Sequence, residues 1–159
     1  MKGSLAIALA AIGVAFLPAF AGAHCQIPCG IYDDAARIAT LREDALTIEK
    51  AMTEMAKLAG QTDAQNMQQF VRWVTTKDDH ASSIITIVAE YFLAQKVKPV
   101  EAGSADYDAY LRKLADHHRV MVTAMKTKQN ADPKFVVDLR AAIDALAMHY
   151  ETMPAGEKK

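Results

Sequence analysis

Apolar residues step by three and four along four stretches of the chain, a spacing that places side chains on one face of an α-helix. The first series is Ile38, Leu41, Ala45, Ile48, Met52 and Met55. The second runs through Met67, Phe70, Val74, Ala81, Ile84, Val88 and Tyr91, with Lys77 as the one polar member of its stripe. Leu111, Leu114, His118, Met121 and Met125 form the third, and Val136, Leu139, Ile143, Leu146 and Tyr150 the fourth. Nothing alternates with period two over a useful length, so no strand is predicted.

Capping residues divide the chain at the same places. Asp33 or Asp34 can cap the first helix, Gly60 ends it, and Asp63 can open the second. Pro99 closes the second helix, and Ser104 or Asp106 starts the third. Asp132 followed by Pro133 is an N-cap with proline at the first helical position. The connections are short, so consecutive helices run antiparallel, and the expected fold class is all-α: an up-down-up-down four-helix bundle. The first two helices should span about 25 and 33 residues, or roughly 37 and 50 Å. The other two are shorter, which leaves apolar ends on the long pair for a partner subunit to cover.

The first 23 residues stand apart from this pattern. Lys2 precedes an apolar run from Leu5 to Leu17, Pro18 breaks the run, and Ala21-Gly22-Ala23 offers small residues at a cleavage point. This is the form of a secretory signal peptide; the run falls short of the roughly 20 residues of a spanning helix. The expected organisation is a signal peptide at 1–23, a metal-binding hook at 24–32 and the bundle at 33–159. The secretory translocase and signal peptidase would act on the precursor, leaving a periplasmic or extracellular product. Removing the leader takes away one Lys and no acid, so the formal charge goes from -1 to about -2. With 18 Lys and Arg against 19 Asp and Glu, no basic surplus points to nucleic acid.

The chemistry lies just before the first helix, in His24-Cys25-Gln26-Ile27-Pro28-Cys29-Gly30-Ile31-Tyr32-Asp33. Cleavage after Ala23 would give His24 a free α-amine beside its imidazole. The amine, the Cys25 amide nitrogen and the Cys25 thiolate can close two fused five-membered chelate rings. Cys29 returns after a proline bend with a second thiolate, and the His24 imidazole can take an axial position. A plane of two nitrogens and two sulfurs suits Ni(II) or Cu(II) better than tetrahedral Zn. The competing reading is a Cys25–Cys29 disulfide in an oxidising compartment.

This segment resembles the nickel hook of the nickel superoxide dismutase family, His-Cys-x-x-Pro-Cys-Gly-x-Tyr, at every defining position. Arg72-Trp73-Val74 through Lys77, His80-Ala81 and Glu90-Tyr91-Phe92 also resemble family members. The resemblance implies a homohexamer of four-helix bundles with one Ni per subunit. It implies His24, Cys25 and Cys29 as metal ligands, Pro28 as the turn residue and Tyr32 flanking the pocket for superoxide. Tyr91 would correspond to a second tyrosine there. It implies a ping-pong dismutation in which nickel alternates between Ni(II) and Ni(III) as superoxide becomes dioxygen and hydrogen peroxide. Two family positions depart: a Glu early in the first helix falls on Ala39, and Arg72 is the nearest candidate for an Arg on the second that helps orient the axial His.

Two readings from other classes stay open on the residues alone. One is a non-catalytic periplasmic helical bundle that binds or senses Ni or Cu through the same hook. The other is a structural bundle with the disulfide. The chain has no Cys-x-x-Cys-His, which argues against covalent haem. His118, on the third stripe, is expected to be a hydrogen-bonded core or interface histidine. Met52, Met55, Met121 and Met125 are expected as core filler, and Lys57, Lys77 and Lys113 could bias the field for an anion.

Overall fold

The computed structural model describes residues 34–151. They form α1 (Asp34–Leu58), α2 (Ala64–Thr86), α3 (Tyr107–Gln129) and α4 (Lys134–Ala147). α2 runs on without interruption into a π-helical segment, Ile87–Lys96. There is no strand among the described residues. α1 packs on α2 and α4, and α3 packs on the same two helices, so the four stand at the corners of a square. Cross-links show the alternation of direction: Asp34 meets Tyr91 and Asp44 meets His80, while Arg42 meets Asp144 and Glu49 meets Arg140. The up-down-up-down bundle expected from the sequence is the fold.

The stripes of α1 and α4 point inward as predicted, and the second stripe does so from Lys77 onward, while its first member, Met67, is exposed. Ile38, Leu41, Ala45, Ile48 and Met52 of α1 interlock with Ala81, Ile84 and Val88 of α2 and with Leu139, Ile143 and Leu146 of α4. α3 is rotated by about one residue from its predicted register. His117, Val120, Ala124 and Thr127 are the buried positions, whereas Leu111 and Met125 are exposed and so is His118. The buried histidine is therefore His117, not His118. The inward face of α3 carries polar residues that can satisfy themselves locally. The hydroxyls of Thr123 and Thr127 donate to carbonyls one turn back, and that releases apolar residues to the outside.

The ends follow the capping chemistry. Asp63 accepts from the Asn66 amide at 3.0 Å and caps α2. Gly60, just past α1, has φ +83°, which a residue without Cβ adopts at little cost. Asp132 accepts from the Lys134 amide at 2.9 Å and so caps α4 through its side chain. Lys77, only 3% exposed, spends its ammonium on the end of α3. It donates to the carbonyls of Thr127 and Lys128 at 2.6 and 2.8 Å, and to Asp78 at 2.9 Å. Those are the orphan carbonyls and the negative dipole end of a helix. Lys77 thus locks α2 to α3 instead of contributing to a surface field.

That lock also fixes how far the helices overlap. Lys77 stands level with the last turn of α3, so residues 64–76 of α2 extend past it for roughly 20 Å at 1.5 Å per residue. Met67 and Val71 on this overhang are 55% and 62% exposed. Together with Leu58, Gly60 and Phe70 they line an apolar groove of about 410 Å³ at the α1–α2 turn. The expectation that the long pair would leave apolar ends holds at this end of the bundle.

Candidate metal centre

His24, Cys25, Cys29 and Tyr32 all lie outside the described residues, as do the leader and the hook boundaries. The structure describes the place where that segment joins the bundle. Asp34 is the first residue of α1, and its carboxylate is held from across the bundle. The Tyr91 hydroxyl donates to Asp34 Oδ1 at 2.8 Å, and Lys96 Nζ sits 2.9 Å from the same oxygen. The Arg37 guanidinium and the Lys96 ammonium each lie 5.4 Å from the centroid of the Tyr91 ring, within cation–π range. A carboxylate in the first turn also suits the positive end of the α1 dipole.

Both groups that hold Asp34 come from the π-helical segment. In an α-helix, side chains five apart diverge by about 140°. The i→i+5 bonding of a π-helix widens the turn and brings such positions closer to one face. The Val97 amide donates to the Phe92 carbonyl at 3.0 Å, closing one such turn. Tyr91 and Lys96, five apart, reach the same oxygen.

Behind this root lies an aromatic layer. Phe92 packs edge-on against Tyr91 with centroids 5.0 Å apart, and against Tyr150 at 4.5 Å. The Tyr150 hydroxyl is 2.7 Å from His117 Nε2, and His117 Nδ1 is 2.7 Å from the Lys113 carbonyl. A carbonyl can only accept, so Nδ1 carries a proton, and in the neutral ring Nε2 accepts from the tyrosine hydroxyl. The buried site favours that neutral form: burial pushes the His117 pKa down and the Tyr150 pKa up. Lys113 lies with its ammonium 4.5 Å from the Tyr150 ring centroid, and burial lowers its pKa.

An open groove of about 480 Å³ adjoins the same end, between the π-helical segment and α3. Lys96, Lys98, Arg112 and Lys113 line it, against Asp106 and Asp116. Asp116 is engaged by His149 at 2.9 Å. The lining is thus biased toward positive charge.

Several residues singled out in the sequence take structural parts. His80 Nδ1 is 2.6 Å from Asp44 Oδ1 and ties α2 to α1. Lys57 pairs with Glu54 at 3.0 Å. Ala39 and Arg72 are both exposed, and the Asp44–His80 register puts them toward opposite ends of the α1–α2 hairpin. They are not neighbours within one chain. The sequence reading missed Asp34 as an anchor, Lys96, and the His117–Tyr150 pair. Tyr91 and Lys96 are five apart, a spacing that no α-helical template connects.

Among the described residues no group of three or more His, Cys, Asp or Glu side chains is placed to hold a metal, and none of their helices is long and apolar enough to cross a membrane. Both cysteines precede α1. Searches of curated proteins and of solved structures gave no match. A family model described as nickel-containing superoxide dismutase matches residues 19–153, which takes in the Cys-bearing segment and the whole bundle. The chain belongs to the nickel-containing superoxide dismutase family, oxidoreductases that act on superoxide with nickel as cofactor.

Proposed function

We propose that this chain is an exported nickel superoxide dismutase whose metal site is made by cleavage after Ala23. The observation that carries this reading is the segment His24-Cys25-Gln26-Ile27-Pro28-Cys29, lying inside the family match and directly after a leader-like run. The donor set fits nickel: two thiolates together with amine, amide and imidazole nitrogens are donor types that would suit Ni(II). His24, Cys25 and Cys29 would hold the metal. Bound nickel supplies a one-electron Ni(II)/Ni(III) couple, so that two superoxide anions and two protons give one dioxygen and one hydrogen peroxide.

The chain's own residues do the rest. The thiolates must be deprotonated to bind, so metal affinity falls in acid. Tyr32, three residues beyond Cys29, offers a hydroxyl to orient a small anion and its water. The basic groove of Lys96, Lys98, Arg112 and Lys113 attracts superoxide to this end of the bundle and raises its local concentration. Copies of the chain assemble as a homo-oligomer, a hexamer by the family resemblance, and the apolar overhang of α2 is a surface that assembly would cover.

Cys25→Ser and Cys29→Ser each replace a thiolate by a weak donor. Both variants should lose bound nickel and superoxide decay above the rate of free metal, while circular dichroism shows the helices intact. Full nickel content in either variant would remove that cysteine from the ligand set.

A further inference from the structure

We infer that Asp34, Tyr91 and Lys96 form a clamp that fixes the root of the metal-binding segment, and that the π-helical turn of α2 exists in this chain to build it. The inference rests on the nickel-hook reading above and adds positioning residues to it. Three observations meet here. Asp34 is the first residue of α1, so the covalent path from Cys29 to the bundle passes through it within five residues. Its Oδ1 receives both the Tyr91 hydroxyl and the Lys96 ammonium, at 2.8 and 2.9 Å. Tyr91 is itself well packed: it is 8% exposed and its ring is backed by Phe92.

The energetic logic is preorganisation. A short chelating segment that hangs from a frayed helix end must be ordered each time it closes on a metal, and that entropy is lost from affinity. Helix ends fray unless their first turn is tied down. The clamp ties the first turn of α1 to a second helix through a charge-assisted pair and a phenolic hydrogen bond. An uninterrupted α-helix would turn residue 96 well away from residue 91. The wider turn lets one oxygen collect both donors.

The test uses the full mature chain starting at His24, loaded with nickel, and follows nickel release into excess chelator. Asp34→Asn and Tyr91→Phe should each speed release by about tenfold, the lower end of what removing a ligand-orienting partner costs. Asp34→Glu, which keeps the carboxylate, should stay within about twofold of the parent. Thermal unfolding of the metal-free chains separates positioning from a general loss of stability. The inference predicts faster release with unchanged melting of the bundle. Release within about twofold of the parent in both Asp34→Asn and Tyr91→Phe overturns it, as does faster release that merely tracks a lowered melting temperature. If the parent chain retains no nickel, the hook reading falls and the clamp falls with it. A parent that holds nickel and variants that release it no faster overturn the clamp alone.

Discussion

His117 shows how one buried side chain is fixed by its neighbours rather than by its own preference. Its Nδ1 faces a carbonyl and its Nε2 faces a tyrosine hydroxyl, so both nitrogens of the neutral ring have partners, and burial disfavours the charged ring. Burial lowers its pKa from the ordinary 6.5. Below 6.5 the unfolded chain takes up a proton that the native state resists, so this residue's contribution to stability is complete above that pH and is lost as pH falls. Urea unfolding of the metal-free chain between about pH 5 and 8 should show stability declining in acid, and His117→Gln should flatten that decline. An identical pH dependence in the variant would contradict the assignment.

At the scale of elements, the instructive case is α3. Its sequence carries two possible stripes one residue apart. The more apolar one, through Leu111, His118 and Met125, is the outer one. The inner one contains His117, Thr123 and Thr127, whose polarity is absorbed by Tyr150 and by carbonyls of the same helix. Apolarity alone selects the wrong stripe when a polar residue has a partner inside, and that partner sits on another helix. The register predicts that Val120→Ala, at a fully buried site, costs about 1.5–3 kcal/mol. Val122→Ala, at a site 37% exposed, should stay within about 0.5 kcal/mol. Equal costs by chemical denaturation would mean the register is wrong. The other helices were legible because α1 and α4 bury nearly pure aliphatic stripes, and because Asp63, Gly60 and Asp132 mark ends by local chemistry. The π-helical segment was not legible. The 33-residue length of α2 with this segment was predicted correctly, but Tyr91 and Lys96 meet Asp34 across the bundle, and no local pattern encodes that meeting.

For the whole molecule, the bundle and the metal site divide the labour. The described helices supply an apolar core, a basic groove and an anchored first turn at one end, and an uncovered apolar overhang at the other. The proposed redox chemistry belongs to a few residues ahead of α1, outside the described residues; what the sequence made legible is the family, through the pattern His24-Cys25 to Cys29, which the family match takes in. Asp34 with Lys96, and His117 with Tyr150, come together only in three dimensions. The central claim is that cleavage itself completes the site, since the α-amine of His24 exists only once Ala23 is removed. The most direct measurement compares the chain beginning at His24 with one that keeps a single extra residue before it, in nickel content and superoxide decay. The chain beginning at His24 should hold one nickel and dismute superoxide, and the extended chain should do neither. Nickel and activity retained in the extended chain would contradict the account.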